Sequence, residues 1–408
     1  MADFIVDNIL FFFFLLMAAA IGWYFGTRRN SKNNIVYSGP EKDYFIGLNY
    51  LLNDEPDEAI DIFIRALEIN SDTLETHLAL GTLLRRRGKV DKAIQVYQDL
   101  LAETDLISED YSKIKLELIQ SYIAAGLLDR AEALIKELST ANTNIRIDAL
   151  KHSVAIYQLE KEWLEAINAI DELISICPVD VKQSYQTIAA HFYCELALQE
   201  MDYKHLVQAR EFLKKAQSYD RENVRVALLL GNLEFMENNH KVAAKELQRV
   251  IAFEPLFAAD VFDLLVQSLQ ELGKNKALTH FIQSQVEALQ QGPSTHDSRL
   301  VLKLSEYFLL KGEKEKALSL LHDFLVACPA LPVIAQSLNI ESSASNSEEN
   351  KLFSDDMHTY KDAIARILES NSFFQCRNCG FELKSMHWLC PGCSRWGEVK
   401  PIEEKSIE

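Results

Sequence analysis

Glycine and proline are scarce in this chain, with 14 and 9 copies among 408 residues. A sheet-rich protein of that length needs many more turn-formers, so the scarcity excludes an all-β fold and points to helices. Positive charge is also in deficit: 42 Lys and Arg stand against 60 Asp and Glu, for a net charge of −18. Phosphate binding needs a cationic surface, so nucleic acid is excluded as the main partner, and the excess negative charge serves solubility. The nucleophile elbow, the P-loop, the HExxH motif and the dinucleotide-binding glycine turn are all missing. Paired carboxylates occur at Asp54-Glu55 and Asp57-Glu58, where a repeat turn is expected and solvation accounts for them. No catalytic constellation remains, and the chain is expected not to be an enzyme.

What the sequence does contain is a period. The stretch Leu78–Leu101, LALGTLLRRRGKVDKAIQVYQDLL, reads as two amphipathic helices joined by a turn. Gly81 and Ala93 stand where the helices must approach closely, and Leu84, Ile94 and Tyr97 supply apolar bulk. Thirty-four residues earlier the spacing recurs as Gly47, Tyr50, Ala59 and Phe63. With the small residue opening each second helix as a mark, the series is Ala59, Ala93, Ala131, Ala166, Ala209, Ala243, Ala277 and Ala317. A large apolar residue follows each mark by four: Phe63, Tyr97, Ile135, Ile170, Leu213, Leu247, Phe281 and Leu321. Gly88, Gly126 and Gly312 precede their marks by five, suiting a turn where φ is positive. Pro178, Pro255 and Pro329 follow theirs by 12 and stop the second helix. This spacing resembles the 34-residue tetratricopeptide repeat, in which no hairpin buries its apolar face alone. About eight repeats are expected over residues 43–330, giving an all-α superhelical solenoid.

The two ends differ from the repeats. Ile9–Phe25 carries no charge and can span a bilayer, with Trp23 and Tyr24 at its headgroup end. Asp3 and Asp7 precede it, while Arg28, Arg29 and Lys32 follow, so the N-terminus is expected outside and the bulk of the chain in the cytoplasm. A cleaved signal peptide would carry its positive charge before the apolar run. Residues 1–27 are thus expected to form a transmembrane helix and 28–42 a short cytoplasmic tether. Beyond the repeats, 331–350 ends in SSASNSEEN and reads as a linker, 351–371 regains helical spacing, and 372–402 has none.

That last segment holds four of the seven cysteines, as Cys376-Arg-Asn-Cys379-Gly380 and Cys390-Pro-Gly-Cys393. Two CxxC knuckles place four thiolates on one tetrahedral metal ion, which implies a reducing compartment. Gly380 and Gly392 suit the tight turns. The short gap between the pairs implies a small hairpin-like module, too small to fold without the metal. Zinc and iron fit the four sulfurs equally on geometry. Phe381, Trp388 and Trp396 flank the knuckles and either pack the ribbon onto itself or dock it on a neighbour. His387 lies between the knuckles, but four cysteines already fill a tetrahedral site. His191 and Cys194 share a helix face at ligand spacing, yet packing in a repeat helix explains them better; Cys177 and Cys328 read as small core residues. Arg85, Arg86 and Arg87 end a helix, where cations are favoured, and form a solvated face or contact an acidic partner.

An anchor, a tether, a repeat array and a four-cysteine ribbon, in this order, resemble the lipopolysaccharide assembly protein B family of Gram-negative bacteria. CRNCGF, WLCPGCSRWG and the apolar run followed at once by basic residues carry the resemblance. It implies a rubredoxin-like ribbon with Cys376, Cys379, Cys390 and Cys393 as ligands, with iron as the family's ion. It also implies a non-enzymatic inner-membrane regulator of lipopolysaccharide synthesis. Such a protein promotes degradation of the lipid A deacetylase of the committed step by a membrane AAA+ protease. A static scaffold for other lipopolysaccharide-synthesis or transport proteins and a rubredoxin-type electron carrier stand as alternatives.

Overall fold

The computed structural model describes residues 74–102, 107–291, 298–342 and 372–402, with a few isolated positions elsewhere. The expected anchor, tether, first repeat (Ala59 and Phe63) and helix at 351–371 lie outside the described residues. Among the described residues no helix is long and apolar enough to cross a membrane.

The helices are α1 (Leu74–Arg86), α2 (Val90–Ala102), α3 (Ser108–Ala124), α4 (Leu128–Glu137), α5 (Thr143–Glu160), α6 (Trp163–Ile176), α7 (Val179–Asp202) and α8 (Leu206–Tyr219). They continue with α9 (Val224–Met236), α10 (His240–Phe253), α11 (Ala258–Glu271), α12 (Asn275–Gln291), α13 (Ser298–Leu310), α14 (Lys314–Ala327) and α15 (Leu331–Ser342). Successive pairs from α1/α2 to α13/α14 are the repeats, and α15 follows them. A small sheet closes the described chain: β1 (Phe374–Cys376), β2 (Glu382–Leu383) and β3 (Val399–Pro401), ordered β2-β1-β3 and antiparallel throughout. The chain forms two compact units, Met1–His152 and Ser153–Glu408, divided within α5.

Each hairpin turn has the same construction. Gly88, Gly126, Lys161, Lys204, Asn238, Gly273 and Gly312 all have positive φ, between 60° and 78°. The residue after each donates its backbone N–H to a carbonyl five residues back, as Lys89 does to Leu84 and His205 to Glu200. This is the helix-ending motif in which a left-handed residue lets the chain reverse and satisfies the last carbonyls. Lys161, Lys204 and Asn238 show that the geometry is imposed by the hairpin even where glycine is missing.

Six of the register marks among the described residues are completely buried: Ala93, Ala131, Ala166, Ala209, Ala243 and Ala317. Ala277 is exposed, however, and Leu278 takes its place in the core, with Phe281 and Ile282. The turn explains the slip, because Gly273 with φ of 64° lies five residues before Leu278 and not before Ala277. Phe281 and Ile282 make both phases apolar at the fourth following residue, so the spacing alone does not separate them.

A second departure concerns the expected linker. Leu331–Ser342 is helical, and Val333 and Ile340 belong to the same core as α11, α13 and α14. Pro332 stands in the first turn, where a helix tolerates it, and Val333 and Ile340 are seven apart on one face. This helix, the last among the described residues, therefore caps the apolar face that α13 and α14 leave open, as an element ending a repeat array does.

In the unit Met1–His152, Gly81 of α1 is a point of close helix approach. A Cβ there would lie 2.4 Å from Cζ of the Tyr97 ring. Tyr97 itself is completely buried, and its hydroxyl donates to the Leu78 carbonyl at 3.2 Å. Burial pushes its phenol up to about 12. Gly231 plays the same part in the other unit, where a Cβ would meet Leu247 at 2.6 Å.

Candidate metal centre and its docking face

The first knuckle is the turn between β1 and β2. Cys376 ends β1, its N–H bonded to the Phe381 carbonyl at 2.9 Å, and Gly380 N–H returns to the Cys376 carbonyl at 2.9 Å. The second knuckle is the tip of another hairpin, whose arms meet at a bridge between Leu389 and Trp396. Cys390 N–H donates to the Arg395 carbonyl at 3.0 Å, and Ser394 N–H to the Cys390 carbonyl at 2.8 Å. The two turns are built alike, so Ser394 is the counterpart of Gly380, and both have positive φ (54° and 75°). Gly392, expected to supply that conformation, serves otherwise: a Cβ on it would lie 3.0 Å from the Phe381 ring.

These turns bring four sulfurs together. All four Sγ atoms of Cys376, Cys379, Cys390 and Cys393 lie within 4.8 Å of one another. Cys376 and Cys393 are 3.7 Å apart, and Cys379 and Cys390 are 3.6 Å apart. A disulfide would hold its sulfurs near ~2.05 Å, whereas a tetrahedron of ~2.3 Å metal–sulfur bonds has edges of about 3.8 Å. The set thus fits one tetrahedral ion. Backbone N–H groups face three of the sulfurs. At Cys376 burial outweighs those of Asn378 and Cys379 and raises the thiol. At Cys379 burial and the neighbouring sulfurs outweigh that of Phe381 and raise it as well. That of Arg395 reaches Cys393. Such donors stabilise thiolate. At Cys393 the Asn378 side chain adds a further donor and brings the thiol down to about 6. His387 stands apart from the cluster, exposed, with Nδ1 3.0 Å from the Ser385 carbonyl oxygen.

The second hairpin also carries the docking contacts. Trp388 and Trp396 sit on its two arms, tied by the Gly397 N–H to the Trp388 carbonyl at 2.8 Å. Trp396 donates its indole N–H to Gln158 Oε1 at 2.8 Å and meets Trp163 and Phe192 edge to face. Trp388 stacks on Phe257, with ring centres 5.5 Å apart. Between the two lies Arg225 of α9, 3% exposed, its guanidinium 5.5 Å from the Trp396 ring centre and 5.8 Å from that of Trp388. Glu195 pairs with it at 2.6 Å. Lys400 of β3 reaches Glu254 at 3.2 Å, and Arg299 lies over Phe374. The ribbon therefore docks on the face formed by α5, α7, α9 and the turn before α11. Of the three aromatics singled out in the sequence, the two tryptophans make the interface and Phe381 does not, remaining 46% exposed.

His191 and Cys194 belong to this face and not to a second metal site. The imidazole stacks on Trp396 at 5.1 Å, and burial, with Arg225 and Lys400 nearby, lowers its pKa to about 3. Cys194 is completely buried, and burial raises its thiol to about 12, where it is inert. Arg225 was not legible as functional, since it sits unremarkably in a repeat helix; only the tryptophans on a distant segment give it a partner.

Comparison with known proteins agrees with both modules. Residues 374–401 match the rubredoxin metal binding domain family, and residues 44–106 and 78–144 match the tetratricopeptide repeat. A tetratricopeptide repeat protein from Parabacteroides merdae is similar over 62% of this chain and 93% of its own, at 16% identity and a TM-score of 0.34, an overlap too loose to bear on function. Lipopolysaccharide assembly protein B of Haemophilus influenzae is 28% identical over 393 residues, covering 94% of this chain and 96% of the relative. The Escherichia coli K12 protein of that name is 32% identical over 382 residues, covering 93% of this chain and 95% of its own. The chain belongs to the lipopolysaccharide assembly protein B family.

Proposed function

We propose that this chain is a non-enzymatic adaptor at the bacterial inner membrane that regulates lipopolysaccharide synthesis. In this reading it brings the lipid A deacetylase of the committed step to a membrane AAA+ protease and so sets the deacetylase level. The observation that carries the reading is the relationship to lipopolysaccharide assembly protein B across both the repeats and the ribbon. Physical chemistry supports it: a repeat array offers long binding faces, and tethering to one membrane raises effective concentration, so weak contacts suffice. Ile9–Phe25 is the proposed anchor, with the N-terminus periplasmic and the remainder cytoplasmic.

In the same reading Cys376, Cys379, Cys390 and Cys393 hold one metal ion, iron or zinc, in a structural role. When bound, the ion supplies the folding free energy that so small a sheet lacks. The cysteines fix the second hairpin, and that hairpin fixes Trp388 and Trp396 against the repeats.

The test is the half-life of the deacetylase in cells. It should lengthen when the chain is removed, and lengthen again in cells carrying a form without Met1–Arg29. An unchanged half-life accompanied by lower lipopolysaccharide output would instead support a static scaffold.

A further inference from the structure

Phe381 is a large apolar side chain that belongs to neither packed region of the ribbon. It is 46% exposed and lies outside the ribbon core of Phe374, Cys376, Leu383, Cys390 and Val399. It takes no part in the docking face either. Its ring instead crosses from the first knuckle to the second. A Cβ on Gly392 would lie 3.0 Å from Cδ2 of that ring and 3.2 Å from Cγ, so the ring rests on bare backbone. Gly392 is not among the left-handed residues, so glycine serves there for space and not for backbone conformation. The Phe381 carbonyl accepts from the Cys376 N–H at 2.9 Å, which fixes its backbone to the first knuckle.

Each knuckle supplies two of the four sulfurs, and the pairs Cys376–Cys393, at 3.7 Å, and Cys379–Cys390, at 3.6 Å, run between knuckles. A chelator takes a bound ion only as thiolates leave it, and two leave together when the knuckles part. Cys379 is exposed whereas Cys376 and Cys390 are buried, so solvent meets the cluster at the knuckle that carries Phe381. The Asn378 side chain also crosses the gap, but it engages the Cys393 sulfur itself. Phe381 on Gly392 is an apolar contact, whose strength does not depend on the charge of the sulfurs.

We infer that Phe381 is a positioning residue for the metal centre: clasped on Gly392, its ring holds the two knuckles together and slows escape of the bound ion. The inference rests on the reading that the four cysteines hold one ion. Parting the knuckles exposes the half of the side chain that is buried. Losing about half of a phenylalanine's burial corresponds to a rate factor of about ten.

The experiment uses the full-length chain in detergent, loaded with cobalt(II), whose visible absorption reports tetrahedral thiolate coordination. Excess EDTA is added and the decay of that absorption is followed. Phe381→Ala should lose cobalt about tenfold faster than the wild type, and Phe381→Tyr, which keeps the ring, at close to the wild-type rate. Gly392→Ala should also speed the loss, because its methyl displaces the ring. Added to Phe381→Ala it should change little, because the ring it displaces is already gone. Before EDTA, tryptophan emission of the loaded variants should match the wild type's, since both positions lie outside the docking contacts. A wild-type chain that takes up no cobalt strikes the metal reading and the clasp together. Uptake followed by equal release from the wild type and Phe381→Ala strikes the clasp alone, as does a Gly392→Ala effect equally large without the ring. Red-shifted emission from loaded Phe381→Ala would give the ring a role in docking instead, and also overturns the inference. If Phe381→Ala takes up no cobalt, Gly392→Ala decides: faster release supports the clasp and unchanged release overturns it.

Discussion

The guanidinium of Arg225 lies 5.5 Å from the ring centre of Trp396, a residue 171 positions later in the chain, and also faces Trp388. One buried cation thus ties both arms of the second metal hairpin to α9. Cation–π contacts stabilise by up to about 2 kcal/mol when desolvated. Arg225 also answers the charge of Glu195, a partly exposed carboxylate, at 2.6 Å, and its removal leaves that charge unpaired. Arg225→Ala should therefore release the ribbon at lower urea than the wild type needs, read as a red shift of tryptophan emission. Arg225→Lys should recover only part of the loss, because the ammonium cannot face two rings and Glu195 together.

Metal removal should act on the same face. Chelation, or Cys390→Ser at a completely buried position of the proposed ligand set, should remove the constraint on the hairpin that carries both tryptophans. The emission of Trp388 and Trp396 should shift to the red and the Trp396 bond to Gln158 should be lost. Far-UV circular dichroism should change little, because the repeat cores contain no ribbon cysteine. A large loss of helix on chelation would show that the ribbon holds the repeats together instead of resting on them.

His191 should make docking sensitive to acid. Its pKa is about 3 in the folded chain against 6.5 in the unfolded one, because burial disfavours the imidazolium and Arg225 and Lys400 repel it. Between those values the unfolded form binds the extra proton, so stability rises with pH across the window. The contribution is complete above pH 6.5 and falls away as the pH drops towards 3. Acid would also protonate the four cysteine thiolates proposed to hold the metal, so the informative quantity is a difference. His191→Gln, neutral throughout, should lose less stability than the wild type between pH 6.5 and pH 5, measured by urea unfolding followed at tryptophan.

Local rules account for most of what could be read in advance. Gly81 and Tyr97 were legible as a close approach because the missing side chain and the large ring recur at a fixed spacing. The four cysteines were legible because metal geometry demands two short knuckles. The docking face was not, since the Trp396 bond to Gln158 spans 238 positions and no periodicity links them. Nor was Arg225, whose surroundings exist only once the ribbon is folded onto α9. Ala277 misled for a different reason: two adjacent residues satisfy the same apolar spacing, and only the backbone of Gly273 decides between them.

That backbone requirement also predicts where the repeats can be strengthened. Seven hairpin turns among the described residues need a left-handed residue, and two of them use lysine: Lys161 with φ of 60° and Lys204 with φ of 63°. A side chain with a Cβ costs about 1–2 kcal/mol in that conformation, while glycine adopts it without clash but has more unfolded freedom to lose. The clash is the larger effect, so Lys204→Gly should raise unfolding stability by about 1 kcal/mol, read as a higher urea midpoint in far-UV circular dichroism. Asn238→Gly should gain only a few tenths of that, because asparagine tolerates left-handed backbone. The control is Lys214→Gly, on the exposed face inside α8, where the same change of side chain should cost about 1 kcal/mol. Opposite signs at two lysines ten positions apart would tie the effect to the turn and not to the loss of a charge.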